Sequence, residues 1–318
     1  MQIALIHQAC DLCGADHAVD LGPVAIGEAC RSLAQECAVR LEQVRVVACA
    51  ECGFFYADPM PVFDHHGMQQ LYGADYFGEY TQRWRRRRTL ADPERRLDAI
   101  QRASEGQVRR FLEIGCGEGF ALERAALRGW EVVGQEVSEA FGSRLRRRLS
   151  CEVFVGTLEQ APWPSGSFDA VYMDSVIEHV SRPMGMLRQI SFLLRPGGVL
   201  YLICPNESCL LNAVRSLARR LGLRQRAAQL SPLANPYHVV GFTRATLARA
   251  LRRAGLRPVE VAVRFGSEEL GKFVPRSRPE RLRQLALHPL YVLGERLGRG
   301  TTLEAIAVRQ PAVATTPS

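Results

Sequence analysis

FLEIGCGEG, residues 111–119, is an apolar run that enters three closely spaced glycines, Gly115, Gly117 and Gly119. A strand ending this way makes a tight turn and lets a ligand approach backbone N–H groups. A dinucleotide fingerprint would place its third glycine at 120, where this chain has Phe120, so that reading is disfavoured. The next apolar run, 130–136, ends in Glu136, 17 residues beyond Gly119, a spacing that fits one helix plus one strand. A carboxylate at that strand end can accept hydrogen bonds from both hydroxyls of an adenosine ribose.

Outward from this stretch, short apolar runs alternate with helical periodicity. Strands are expected at 109–114, 130–136, 151–155, 168–174, 199–204, 257–264 and 302–309, with helices at 119–128, 138–149, 182–194 and 243–254. Seven strands with a glycine loop after the first predict an α/β fold. It is a doubly wound, Rossmann-like seven-stranded sheet with ligands bound beyond the carboxyl ends of its strands.

The N-terminal region is different. Cys10-x2-Cys13 and Cys49-x2-Cys52 are two turns that each point a pair of sulfurs at one point, and together they complete a tetrahedral site. Gly14 and Gly53 follow the second cysteines, where a knuckle needs φ > 0. Four thiolates leave no open coordination position, so the expected zinc is structural. The 35 residues between the pairs must hold an inserted loop or helix, about 27–42, with Cys30 and Cys37 on one helical face. The expected organisation is a zinc-ribbon-like module over 1–62, a helical linker or lid over 63–105, and the sheet domain over 106–309. Helical insertions fall near 207–236 and 266–300, and 310–318 form a disordered tail.

Composition narrows the class. The chain has 318 residues, 47% hydrophobic and 23% charged, which excludes wholesale disorder and a collagen-like or repeat chain. No run of roughly 18 apolar residues occurs and no leader pattern opens the chain, so a cytoplasmic location is expected. The net charge of +8 is uneven: residues 1–80 carry 3 basic against 11 acidic side chains, 81–110 carry 10 against 4, and 206–318 carry 19 against 7. The middle, 111–205, is near neutral with 9 against 11. The basic segments flank the expected ligand cleft, which points to an anionic acceptor and not to general nucleic-acid binding.

Further motifs follow in order: VVGQEVSE (132–139), GTLEQAPWPSGSFDAVYMDSVIEHV (156–180), LLRPGGVLYLICPN (193–206) and HVVGFTRATLARALRRAGL (238–256). With FLEIGCGEG they resemble class I S-adenosylmethionine-dependent methyltransferases over roughly 105–309. The cysteine head resembles the metal-binding module of a subgroup acting on sugars, surface glycans and natural products. The resemblance implies cofactor-binding roles for Glu113, Gly115, Cys116, Gly117 and Gly119 around the amino acid and ribose parts of the cofactor. It implies Glu136 on the ribose diol, Val137 under the adenine, and Thr157, Leu158 and Glu159 at the ring edge; Thr157 stands where the family commonly has Asp or Asn. Asp174 and Ser175 would lie next to the methyl donor, while Pro196, Gly197 and Gly198 turn the chain into the fifth strand.

The sulfonium methyl is already activated, so the protein must align the acceptor and exclude water. A hydroxyl acceptor gains from a general base, and His238 is the candidate, with a structural role as its alternative. Glu178 and His179 are expected in the first turn of a helix, and Tyr72, Tyr76 and Tyr80 in a lid or in the core. Leu210, Val214, Leu217 and Leu221 recur at helical spacing beside Arg215, Arg219, Arg220 and Arg224. The expected reading is a cap helix with its apolar face on the domain; the alternative is a basic amphipathic surface meeting a membrane or a lipid-linked substrate. A similar pattern at 281–297 is expected to break at Pro289.

The leading function is methyl transfer to a small-molecule, sugar or glycan-linked acceptor, with oxygen favoured. An RNA methyltransferase is the first alternative; against it, DSVI (174–177) stands where enzymes acting on base amino groups carry Asn/Asp-Pro-Pro-Tyr/Phe, and the head is acidic. A non-catalytic cofactor-binding interaction protein is the second.

Overall fold

The computed structural model describes residues 3–72, 91–264 and 278–311. The run RWRRRR (83–88), Tyr76 and Tyr80 lie outside the described residues.

The central sheet has seven strands: β6 (Arg110–Ile114), β7 (Glu131–Glu136), β8 (Glu152–Val155), β9 (Phe168–Asp174), β10 (Leu194–Pro205), β12 (Leu256–Arg264) and β13 (Thr302–Arg309). Their spatial order is β12-β13-β10-β9-β6-β7-β8. β9 is the central strand, and β6 beside it pairs in parallel with both β7 and β9. The sheet is mixed and not wholly parallel, because β13 runs antiparallel to both β10 and β12. A buried parallel strand has neighbours on both faces, which is why FDAVYMD reads as an apolar run; Phe168, Ala170, Val171 and Met173 are fully buried.

The crossover helices cover both faces. On one face α3 (Ala91–Ala103) and α4 (Phe120–Leu127) pack Leu97, Ile100 and Leu122 with Phe111, Tyr172 and Tyr201, while α5 (Glu139–Leu149) adds Leu145. On the other face α6 (Pro183–Leu193) and α8 (Arg244–Arg253) bury Leu187, Ile190, Leu247 and Leu251 against Val171 and Leu200. Burying such a side chain gains about 1.5–3 kcal/mol over leaving it exposed, so this double cover is the main stabilising feature.

The N-terminal region forms β1 (Ile3–Ile6), β2 (Ala18–Pro23), α1 (Glu28–Cys37), β3 (Arg45–Cys49), β4 (Phe55–Asp58), β5 (Met60–Phe63) and α2 (His65–Leu71). The inserted helix is α1, which buries Cys30 and leaves Cys37 half-buried. A late segment completes this sheet: β11 (Val240–Gly241) pairs with β4, giving the order β11-β4-β3-β2. Ile26 also bridges Leu233, and the amide of Gly27 donates to the carbonyl of Leu233. Asp11, inside the first cysteine turn, accepts from the Met184 amide at 2.7 Å, and Gln8 donates to the Ser181 carbonyl. The module is therefore anchored on the start of α6, where an acidic side chain meets unpaired amides.

Two helical expectations change. α7 (Leu210–Arg220) turns its polar side inward. Asn212 is buried on Glu207 and Ser216 receives Gln229, while Val214 and Leu217 are exposed, as is Leu221 just beyond the helix. Beyond the half-buried Leu210, the apolar stripe does not pack on the domain. α9 (Arg278–Arg296) continues through Pro289 without breaking. The ring removes the hydrogen bond to Leu285, whose side chain is exposed, so water can serve that carbonyl.

Candidate active site

The glycine loop follows β6, and Gly115, Gly117 and Gly119 all have φ between 46° and 64°. A Cβ at Gly115 would strike Val176 beyond β9, and one at Gly119 would strike Leu145 of α5, so these glycines admit no side chain. Val176 thereby sets the loop against the segment after β9.

Glu136 ends β7 and is buried. Its carboxylate accepts from the Gly117 amide at 2.8 Å and from the Ser138 amide at 2.9 Å. Burial raises its pKa, and these amides oppose the rise. Gln135, which the sequence did not single out, ties the same region together: its Oε1 accepts from the Gly115 amide and its Nε2 donates to the Gly156 carbonyl. Gly156 in turn donates to the Glu136 carbonyl, which brings the turn after β8 to Glu136. In that turn Leu158 is buried, and Thr157 and Glu159 are exposed. Gln69 of α2 reaches across to the Val137 carbonyl. Glu113 caps α4, accepting from the Leu122 amide at 2.9 Å, and the buried Cys116 thiol lies against Gly134. The loop, the Glu136 carboxylate and the 157–159 turn thus share one end of the sheet.

The end of β9 supplies the other half. Asp174 accepts from Arg96 Nη1 at 2.8 Å and from the Ser175 hydroxyl at 3.0 Å. Arg96 also donates to the Tyr172 hydroxyl and approaches Glu304, while Arg95 Nη2 donates to both carboxylate oxygens of Glu304. Two arginines of the basic 81–110 segment are therefore paired with carboxylates of the sheet, Arg96 largely buried and Arg95 half exposed. Ser175 has φ 57°, a left-handed conformation for a non-glycine residue directly after the strand.

Around it gather Glu178, His179 and His238, whose ligand atoms lie within 4.8 Å of one another. Glu178 and His179 sit in a 3-10 turn, Ile177–His179, and not in an α-helix. His238 packs edge-on against His179 with ring centroids 5.0 Å apart, and the Tyr72 hydroxyl meets His179 Nδ1 at 3.2 Å. Burial pushes Glu178 up to about 8 and pulls His179 down to about 4 and His238 down to about 3. The 3.8 Å approach of His238 Nε2 to Glu178 is consequently not an ion pair at neutral pH. Both Glu178 oxygens are buried without a hydrogen-bond partner. Glu207, just beyond β10, is also buried and pushed up to about 7 by burial, with Asn212 and Arg215 opposing.

The four cysteines converge as their spacing requires. Cys10 and Cys52 sulfurs are 3.6 Å apart, Cys13 and Cys49 sulfurs 3.5 Å, and all four lie within 4.8 Å of one another. A tetrahedral zinc with bonds of about 2.3 Å has sulfur–sulfur edges of about 3.8 Å, so the set fits the ion. Gly14 and Gly53 have φ 84° and 73°, as the knuckles require. Burial pushes the Cys52 thiol up to about 11, so holding all four as thiolates here would take a divalent cation.

The methyltransferase domain family matches residues 82–261. The chain belongs to that family. It is an S-adenosylmethionine-dependent methyltransferase of Rossmann-like fold with an N-terminal four-cysteine module able to hold zinc. Among its relatives is the ubiquinone biosynthesis O-methyltransferase of Dechloromonas aromatica, 29% identical over 204 residues, covering 59% of this chain and 83% of the relative. The protein of the same name from Xanthomonas axonopodis pv. citri is 30% identical over 173 residues, covering 52% and 70%. A solved structure of a candidate sarcosine dimethylglycine methyltransferase from Galdieria sulphuraria shares the fold, with TM-score 0.51 and 15% identity over 70% of this chain and 86% of that one. The methyltransferase thus carries its glycine loop and Glu136 on one side of the strand ends, and Asp174 with the histidine pair on the other. No helix among the described residues is long and apolar enough to cross a membrane.

Proposed function

We propose that the protein transfers a methyl group to a hydroxyl of a small-molecule, sugar or glycan-linked acceptor, with His238 as general base. The observation that carries this reading is the placement of His238 against His179 and Glu178, just beyond the end of β9. Bound S-adenosylmethionine supplies an activated methyl group, so the chain's own work is alignment, exclusion of water and removal of a proton. Glu136 takes the ribose hydroxyls, Val137 lies under the adenine, and Thr157, Leu158 and Glu159 border the ring. Gly115, Cys116, Gly117 and Gly119 wrap the ribose and amino acid parts, with Glu113 holding the loop to α4. Asp174 and Ser175 flank the reacting methyl, and Arg96 holds the Asp174 carboxylate in place. His238 receives the acceptor's proton as its oxygen is methylated.

The relatives named as O-methyltransferases support oxygen as the methylated atom. The basic side chains beyond residue 206 favour an anionic group on the acceptor, held at that rim. A membrane-borne acceptor fits the same geometry, because α7 and α9 border that rim. The zinc module stabilises the fold and takes no part in the chemistry. Free thiols held as metal ligands suit a reducing, cytoplasmic compartment.

The test is a labelled-methyl screen against hydroxylated small molecules and sugar derivatives, followed by His238→Gln on the acceptor found. Turnover is expected to fall roughly 10²- to 10⁴-fold with cofactor affinity unchanged. Wild-type turnover in the variant would remove the base.

A further inference from the structure

The exposed apolar side chains of this protein are concentrated in one place. Among the described residues thirteen large hydrophobics are exposed, and eight of them lie on α7, the turn after it, and α9 with the residue that follows. On α7 and just beyond it, Val214, Leu217 and Leu221 stand 41%, 56% and 65% exposed, at helical spacing, with Leu223 next to them. The inner side of the same helix is polar: Asn212 holds Glu207, and Ser216 holds Gln229. A helix that buries its polar side and presents leucines to solvent is inverted relative to an ordinary surface helix. α9 likewise exposes Leu282, Leu285 and Leu293, with Leu297 just beyond it, while Leu287, Leu290 and Val292 are half-buried.

The two helices pack on each other, where a Cβ at Gly294 would lie 3.3 Å from that of Leu210. Both stand at the carboxyl-end rim of the sheet. α7 follows β10, α9 leads into β13, Pro205 pairs with Thr302 across the two strands, and Arg299 donates to the Ser208 carbonyl. The charge around the leucines is mainly basic, with Glu295 of α9 as an exposed acid among them. Arg220, Arg226, Arg296 and Arg299 are exposed, and α7 carries no acidic residue.

We propose that this surface docks the protein on an anionic lipid bilayer. The leucines enter the boundary between headgroups and acyl chains, and the arginines meet lipid phosphates. A second copy is the poorer occupant, because pairing this face with itself sets α7 arginines against α7 arginines. The proposal rests on the methyltransferase reading only for the position of the cleft beside the bilayer. Vesicle binding is read without turnover, so either can fail alone.

The experiment is co-sedimentation of the full chain with vesicles of phosphatidylcholine alone and of phosphatidylcholine mixed with phosphatidylglycerol. Binding is expected on the mixed vesicles, much weaker on the neutral ones and reduced by salt. Leu217→Asp with Leu221→Asp should weaken it at least tenfold, because each buried leucine contributes roughly ten- to a hundredfold. Melting temperature and cofactor affinity should stay unchanged, and Leu127→Asp, at a 70% exposed leucine on α4, should bind like wild type. Absence of binding to the mixed vesicles, equal binding to both compositions, or undiminished binding by the double variant would each overturn the proposal. So would a dimer that the double substitution dissolves in a chain that ignores vesicles.

Discussion

Replacing Glu136 with glutamine changes one atom of a side chain that holds two backbone amides. The carboxylate accepts from Gly117 at 2.8 Å and from Ser138 at 2.9 Å. A carboxylate has about four acceptor directions, so about two remain for a ribose diol. In Glu136→Gln one oxygen becomes an NH2 group and meets an amide donor head-on, while the charge behind the remaining oxygen is lost. A hydrogen bond to a charged group contributes about 1.5–3 kcal/mol, so cofactor affinity should fall roughly ten- to a hundredfold. Glu136→Ala removes both acceptors and should lose at least roughly tenfold. The orphaned amide costs the fold about 1–3 kcal/mol, which lowers the melting temperature by several degrees. Titration calorimetry with S-adenosylhomocysteine, run well below a melting point taken by scanning calorimetry, separates the two effects. A folded variant with a Kd within about twofold of wild type, well short of the tenfold that 1.4 kcal/mol gives, would refute the ribose assignment. An unchanged melting temperature would refute the tie to the glycine loop.

Cys49→Ser with Cys52→Ser should abolish bound zinc and lower the melting temperature, as measured by elemental analysis and scanning calorimetry; a wild type that keeps its stability after chelation would sink the structural ion. Arg96→Met leaves Asp174 without its guanidinium in a site where the Arg96 side chain is 13% exposed, and should destabilise the fold by about 3–5 kcal/mol in urea titrations; a loss below about 1 kcal/mol would show the pair to be dispensable. Glu207 has its folded pKa raised from 4.5 to about 7, so its contribution is fully present below pH 4.5 and is lost as the pH rises through about 7. Stability should therefore fall between pH 5 and 7, and Glu207→Gln should flatten that slope; identical slopes in the two proteins would remove the assignment.

The strands were legible in the sequence because a strand buried on both faces must be apolar along its length, and the glycine loop because only glycine can occupy that turn. The cysteine turns were legible for a similar reason: two-residue spacing by itself aims both sulfurs at one point. Arg96 was not legible. It carries no pattern, and its partners Asp174 and Glu304 are brought to it only when α3 packs over the ends of β9 and β13. Glu178 and His238 are likewise distant in the chain and meet only because β11 returns to the N-terminal sheet. β11 itself is two residues long, too short for any periodicity.

α7 marks the boundary most clearly. The spacing of Val214, Leu217 and Leu221 determined that one side of the helix is apolar, and nothing in that spacing says which way the side faces. Glu207 and Asn212 decided it, because a carboxyl group buried at the end of β10 needs a polar partner and draws the opposite side of the helix inward. Local sequence determined strands, loop, knuckles and stripes, each set by the geometry of a few consecutive residues. Tertiary structure decided which buried charges pair and which surface stays apolar, since both depend on what packs against them.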